Sequence, residues 1–165
     1  MSLDGYIAGP DESLDFLQSV ERPGEDYGYG KFIEEVDTII WGRKTYDKVR
    51  SFEGPFPYPD KDVFVLSALR TGKDKHVAYF NDVRILIKEL KSNEGKNIYC
   101  DGGGQLVREM LKYDLLDELR ISVIPHLLGS GTLLFPDGRP EYKLNLIQAI
   151  PYESGLVQLW YERVR

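Results

Sequence analysis

The sequence predicts an α/β fold with a mainly parallel central sheet and helices on both faces of it. Over the first two thirds of the chain, short β-prone runs alternate with segments whose apolar residues recur at helical spacing. This alternation is typical of βαβ units, whose strands run parallel. The last third of the chain lacks this alternation. There, two longer β-prone runs, 142–150 and 156–164, flank a Glu-Ser-Gly turn and predict an antiparallel hairpin at the edge of the sheet.

The individual elements follow from local signals. Residues 83–90 show the clearest helical pattern, with apolar side chains at i, i+3, i+4 and i+7 and a cap near Asn81-Asp82. A nearly all-apolar run at 37–41 predicts a strand buried on both faces. Further helices are predicted from about residue 11, over 26–36 and after residue 104, and further strands over 62–67, 76–80, 97–100 and 118–125.

Composition and charge narrow the class of protein. The 165 residues, 42% of them hydrophobic, suffice for one core and predict a single domain over 1–165. A net charge of -6 without a long basic run argues against a nucleic-acid partner. The lone Cys100 and two distant histidines indicate neither a disulfide nor a metal site. No apolar run has membrane-spanning length, so a cytoplasmic location with no membrane partner is the expectation.

The stretch around three consecutive glycines, Gly102, Gly103 and Gly104, is the centre of the functional prediction. It lies between a β-prone run and a helical segment. Glycine lets backbone approach a ligand closely, and the first N–H groups of a helix lack partners within it, so such a turn can hold phosphate. A plain strand-to-helix turn that needs positive φ explains the glycines equally well.

Two other strand ends carry candidate binding residues. Gly42-Arg43-Lys44-Thr45 provides two cations and a hydroxyl at the next predicted turn, although a solvated helix start would look the same. Ser67 ends another strand, with Arg70 just beyond it, and these could equally be a turn serine and a surface arginine. Ligands of parallel sheets bind outside the carboxyl ends of the strands, so the three sites can converge on one nucleotide.

Five motifs are spread along the chain: Ser2-Leu3-Asp4-Gly5-Tyr6-Ile7-Ala8, Asp37 to Tyr46, Asp101 to Gly104, Leu116-Asp117-Glu118-Leu119 and Pro125 to Gly131. Taken together, these motifs resemble the dihydrofolate-reductase-like family, which includes the C-terminal reductase domain of the bacterial riboflavin-biosynthesis deaminase-reductase. The resemblance covers essentially the whole chain, and small stand-alone bacterial members are closest in pattern. It implies a three-layer sandwich with a mainly parallel central sheet.

The resemblance implies NADPH as the cofactor. It places Ile7 and Ala8 at the nicotinamide, and it places Ser67, with Arg70, at the adenosine 2'-phosphate, which favours NADPH over NADH. The residues implied to hold the pyrophosphate and ribose phosphate are Gly42, Arg43, Lys44 and Thr45 at one turn and Gly102, Gly103, Gly104 and Gln105 at the other. It also implies a homodimer.

The implied reaction is hydride transfer to a small heterocycle, either pterin- or dihydrofolate-like or the aminopyrimidine of riboflavin biosynthesis. Such a reaction needs a held nicotinamide and a route for one proton. Asp15 is the candidate acid, although a carboxylate in the first turn of a helix also stabilises that helix without any chemistry. Asp4 and Tyr29 are candidate substrate contacts, Asp4 alternatively bracing its own turn.

Two alternatives to a reductase remain open. The chain could bind NADPH without turnover, or its glycines could serve turns alone. One departure from the family favours the first alternative: in the family an apolar strand precedes the Ser-x-Asp-Gly motif, whereas here that motif begins one residue after Met1. We expect either an internal methionine at the start or a first strand reduced to a stub over 1–6.

Overall fold

A computed structural model describes residues 1–165. Two short 3₁₀ segments, Pro10–Glu12 and Asp15–Val20, precede the first α-helix. The α-helices are α1 (Tyr29–Glu34), α2 (Arg43–Ser51), α3 (Val83–Lys91) and α4 (Gly104–Lys112). The strands are β1 (Tyr6–Ala8), β2 (Val36–Gly42), β3 (Asp62–Leu66), β4 (Gly72–Lys73), β5 (Ala78–Phe80), β6 (Asn97–Cys100), β7 (Glu118–Val123), β8 (Thr132–Leu133), β9 (Leu144–Pro151) and β10 (Val157–Arg163).

The main sheet has five strands in the order β4-β5-β3-β2-β6, and all neighbours run parallel except β4 and β5. β2 lies between β3 and β6, and Ile39, Ile40 and Trp41 are fully buried in it. Alternate residues of a strand point to opposite faces, so Ile40 packs on one side of the sheet while Ile39 and Trp41 pack on the other. The prediction of a strand buried on both faces is confirmed.

Helices cover both faces of this sheet. Residues of α1 and α2 pack against Ile39 and Trp41, and the aromatic loop that carries Phe56 and Tyr58 covers the same side. Residues of α3 and α4 pack on the opposite face, around Ile40. The predicted cap of α3 is present, because the Asp82 carboxylate accepts a hydrogen bond from the backbone N–H of Arg84 at 2.8 Å. The expected three-layer α/β architecture is confirmed.

The C-terminal hairpin forms as predicted, with β9 and β10 antiparallel. Its position differs from the prediction, however, because β10 also pairs with β7, giving a separate three-stranded sheet in the order β7-β10-β9. The outer strand β9 is largely exposed, including Leu144, Leu146 and Ile147. The alternating pattern of these strands specified a hairpin, but it could not specify the strand beside it.

The N-terminal 36 residues contain less helix than the sequence predicts. The helix expected from residue 11 is replaced by the two 3₁₀ segments, and the helix expected over 26–36 is reduced to Tyr29–Glu34. Asp11 and Glu12 adopt positive φ, which interrupts a regular helix. β1 pairs with β8, a contact between distant parts of the chain that no local pattern indicated.

The outer edges of β6 and β7 line one slot between the two larger sheets, and neither edge is paired across it. Met1 and Ser2 lie at one end of this slot. The Met1 amino group donates to the Ser122 carbonyl at 2.5 Å, and Ser2 forms an isolated parallel bridge with Ile124. Residues 1–2 therefore occupy the position of a strand end beside β7.

None of the helices could cross a membrane, since the longest have nine residues and a bilayer span needs about 20.

Candidate nucleotide-binding site

A groove with a volume of about 1490 Å³ runs along the carboxyl ends of β2, β3 and β6 and continues into the slot beside β6. All but one of the residues that the sequence implied for the cofactor lie in its lining: Ile7, Ala8, Gly42, Arg43, Lys44, Thr45, Ser67, Gly102, Gly103, Gly104 and Gln105. These residues are brought together from four separate parts of the chain. Arg70, Asp4, Asp15 and Tyr29 are absent from the lining.

The glycine turn between β6 and α4 leaves room that side chains would fill. Gly102 has a φ of +99°, and an added Cβ there would meet no atom within 4 Å, so this position faces open space. A Cβ on Gly103 would lie 3.2 Å from Thr45 Oγ1. Gly104 serves packing instead, since its added Cβ would lie 2.2 Å from the Leu133 carbonyl oxygen. The turn thus combines close packing at Gly104 with unfilled space beside Gly102, although both glycines are themselves buried.

A second helix begins at the same place. The N–H of Gly42 donates to the Gly102 carbonyl at 2.7 Å, which holds the start of α2 beside the start of α4. Neither helix has a side chain capping its N-terminus. Both helix dipoles and their free N–H groups are therefore directed at one part of the groove, an arrangement suited to a diphosphate.

The cations at the start of α2 have weak partners. Arg43 pairs with Asp47 one turn along the helix, and Lys44 lies 3.8 Å from Glu12, with all of these side chains substantially exposed. Exposed ion pairs contribute little to stability, so these cations can exchange a carboxylate for a phosphate at small cost. They supply positive charge beside the two helix starts.

Ser67 is buried at the end of β3, where its Oγ accepts hydrogen bonds from the N–H groups of Leu69 and Arg70 at 3.3 and 2.9 Å. The serine thus shapes the turn, while its own hydroxyl proton is free to donate into the groove. The Arg70 guanidinium lies 3.7 Å from Asp47 and over the ring of Tyr79. Arg70 therefore lies beside the groove rather than in its lining.

Ile7 and Ala8 reach the groove through β1. The Ile7 side chain lies against the glycine turn, 3.7 Å from the position of a Cβ on Gly103. Gly131 packs below Ala8, where an added Cβ would lie 2.1 Å from the Ala8 carbonyl oxygen. The glycine-rich loop after residue 127 therefore supports the N-terminal wall of the groove.

Asp15 and Asp4 lie elsewhere. Asp15 is exposed in the second 3₁₀ segment, and its side chain does not reach the groove. The Asp4 carboxylate accepts hydrogen bonds from the Ser2 hydroxyl and from the N–H groups of Leu128 and Gly129. The Ser2 hydrogen bond is the main reason that the pKa of Asp4 falls to about 2. Asp4 thus braces two loops, the alternative role given by the sequence.

Sequence reasoning missed an acid that does line the groove, Asp101. It directly precedes the glycine turn, and its carboxylate accepts hydrogen bonds from Trp41 Nε1 at 2.8 Å and from the Tyr99 hydroxyl at 2.7 Å. Burial raises its pKa above the ordinary value, although these donors and Tyr58 lower it. The sequence feature that could have identified Asp101 is its position as a carboxylate at the end of a predicted strand.

Tyr29 lies near this acid but outside the groove. Its hydroxyl is 2.5 Å from that of Tyr58, and its side chain is 43% exposed. Burial is the largest cause that raises its pKa. Tyr29 therefore lies between solvent and the aromatic cluster around Asp101, outside the lining of the groove.

Solved structures share this architecture. Enterococcus faecalis dihydrofolate reductase, complexed with NADP(H), superposes with a TM-score of 0.67 at 18% identity, over 100% of this chain and 93% of that one. A Shewanella sp. PV-4 protein, provisionally described as a riboflavin biosynthesis protein, superposes with a TM-score of 0.90 at 36% identity, over 100% and 96% of the two chains. The fold is thus the dihydrofolate-reductase-like fold.

Sequence comparison gives the family within that fold. The family model for the RibD C-terminal domain matches residues 61–158. The Bacillus subtilis (strain 168) protein YwjB, itself uncharacterized, is 41% identical over 99% of this chain and 94% of its own length. The chain belongs to the RibD C-terminal domain family, which confirms the resemblance drawn from its motifs.

Proposed function

We propose that this protein is an NADPH-dependent reductase that transfers a hydride to a C=N or C=O bond of a small heterocycle. The observation that carries the proposal is the pair of uncapped helix starts, tied together by Gly42 and Gly102 at the head of one long groove. Two helix N-termini with free N–H groups suit the diphosphate of a dinucleotide better than a single phosphate. Membership of the RibD C-terminal domain family supports the reductase assignment.

The residues present fit the cofactor. The unfilled space beside Gly102 leaves room for a pyrophosphate, with Arg43, Lys44 and Thr45 as further contacts. Ser67 and Arg70 supply a hydroxyl and a cation for a 2'-phosphate, which favours NADPH over NADH. Bound there, the nicotinamide would supply the hydride, and the groove would hold it beside Ile7 and Ala8.

The proposed substrates are a pterin- or dihydrofolate-like ring or the riboflavin-pathway aminopyrimidine. The relatives' names support these two classes, since one solved relative is a dihydrofolate reductase and another is assigned to riboflavin biosynthesis. Residues 1–165 would act as one domain. A cytoplasmic location remains a prediction.

A homodimer is also part of the proposal. The exposed outer strand β9 supports it, because Leu144, Leu146 and Ile147 form an unpaired apolar edge there. Unpaired strand edges pair readily with other chains, and a second copy would bury this one. Sedimentation of the protein at micromolar concentration would distinguish a dimer from a monomer.

A second candidate function is nucleotide binding without turnover. It is favoured by the position of Asp15, the predicted acid, which lies outside the groove. Titration with NADPH and then NADH, followed by nicotinamide fluorescence, tests both candidates, and we expect tighter binding of NADPH. Failure to bind either would overturn both. Binding without oxidation across pterins, dihydrofolate and the aminopyrimidine would favour the second.

A further inference from the structure

An aromatic cluster surrounds Asp101 and connects it with solvent. The groove-lining carboxylate accepts hydrogen bonds from fully buried Trp41 and from Tyr99. The Tyr58 hydroxyl lies close enough to lower the pKa of this carboxyl group, and that hydroxyl is 2.5 Å from the Tyr29 hydroxyl. Tyr29 is 43% exposed, so a row of hydroxyl groups leads from the groove acid to the surface.

No cation neutralises this carboxylate. Asp101 takes part in no salt bridge. No lysine or arginine is among the groups that shift its pKa. A partly buried carboxylate without a counter-charge favours its protonated form, and burial accordingly raises its pKa. Burial, as the largest cause, also raises the pKa of Tyr58 and Tyr99, which keeps both phenols neutral.

We propose that Asp101 is the acid of this groove, giving its proton to the substrate, and that Tyr58 and Tyr29 return a proton to it from solvent. This inference rests on the proposed reductase function. The substrate carbon takes a hydride, with two electrons, from the reduced nicotinamide, and the π bond to nitrogen or oxygen breaks. That heteroatom takes the Asp101 proton. The products are a CH–NH or CH–OH group, the oxidised nicotinamide and the Asp101 carboxylate.

The phenols complete the cycle without changing their own charge. A neutral hydroxyl can accept a proton from one neighbour while donating its own to the next. Tyr29 can therefore take a proton from water as Tyr58 gives one to the Asp101 carboxylate. Tyr58 acts through Asp101 and is a positioning residue, whereas Asp101 lines the groove and would touch the substrate.

The first test needs no ligand. Because Trp41 Nε1 donates to Asp101, the fluorescence of Trp41 should report ionisation of that carboxyl group. Trp160→Phe removes the only other tryptophan. In that variant we expect a transition at a pH above the ordinary range of aspartate, absent after a further Asp101→Asn substitution. Adding Tyr58→Phe should move the transition to still higher pH, since it removes a nearby hydroxyl group that lowers the pKa of Asp101. A transition within the ordinary range would overturn the proposal.

The second test uses turnover of the probes named above, with NADPH affinity measured separately. We expect Asp101→Asn to bind NADPH as the unaltered protein does but to lose about 100-fold or more in rate, as removal of a general acid does. Tyr58→Phe should lose less and should shift the pH profile. Tyr79→Phe is the matched control, because its hydroxyl donates to another carboxylate, Asp74, outside the groove.

The outcomes separate the two proposals. Undiminished turnover by Asp101→Asn would overturn the role of Asp101 and leave the reductase assignment standing. Absence of NADPH binding by the unaltered protein would overturn the reductase assignment itself. If no probe is reduced, the fluorescence titration alone decides whether Asp101 holds a proton at neutral pH.

Discussion

The backbone N–H of Gly42 donates to the carbonyl oxygen of Gly102 at 2.7 Å, so the turns after β2 and β6 form one unit. The two residues are 60 positions apart in the sequence, and neither bond partner is a side chain. The hydrogen bond fixes how the starts of α2 and α4 lie relative to each other.

Gly102→Ala should weaken NADPH binding by about tenfold or more, equivalent to 1.4 kcal/mol, because its methyl group would project into the open groove. The matched control is Gly138→Ala, since Gly138 also has positive φ and open space around an added Cβ but lies outside this groove. Both variants should lose similar stability, about 1–2 kcal/mol, from backbone strain. Equal NADPH affinity in the two variants would argue against phosphate binding at Gly102.

Arg70→Gln should reduce NADPH affinity by about tenfold while leaving NADH affinity unchanged, because it removes a charge-assisted contact with a 2'-phosphate. The matched control is Arg50→Gln, which carries the same change in charge at an exposed site without a salt bridge. It should alter neither the NADPH affinity nor the NADH affinity. Fluorescence titration with both dinucleotides measures the ratio of affinities. A parallel loss for NADPH and NADH would place Arg70 away from the 2'-phosphate.

Asp4→Asn should lower the melting temperature at neutral pH and flatten the acid side of the stability profile. The folded-state pKa of Asp4, about 2, lies below its unfolded value, with the Ser2 hydrogen bond as the largest cause. The stability it contributes is therefore complete above the unfolded pKa and disappears as pH falls from about 5 towards 2. Asp137→Asn, at an exposed carboxylate without hydrogen bonds, should leave the profile unchanged. Identical profiles for both variants would contradict the bracing role.

An apolar, β-prone segment of about six residues, the length of β7, joined ahead of Met1 should raise the melting temperature by about 4 °C or more. It would pair with the facing edges of β6 and β7 and would replace the Met1 amino group, whose pKa burial lowers, by an uncharged amide. We also expect tighter NADPH binding. A glycine-serine segment of equal length is the control, and equal melting temperatures would refute the pairing.

The sequence by itself determined the features that depend on neighbouring residues. The apolar run at Ile39 and Ile40 specified a buried strand, the spacing after Val83 specified α3, and the glycines after Asp101 specified a strand-to-helix turn. Its motifs also identified the family and eleven residues that line one groove. Local sequence was enough for these features because helices and strands space their apolar residues at different periods.

Only the tertiary structure decided which acid could serve the groove. Asp15 lies in a predicted helix and Asp101 at the end of a predicted strand, and these local positions do not show which carboxyl group is buried beside the groove. Folding leaves Asp15 exposed outside the groove and places Asp101 against Trp41 and Tyr58, residues 60 and 43 positions away. The same holds for β1 beside β8 and for the slot between β6 and β7. The pKa of a carboxyl group depends on its burial and on hydrogen-bond donors from distant segments. Neither can be deduced from the residues next to it in the sequence.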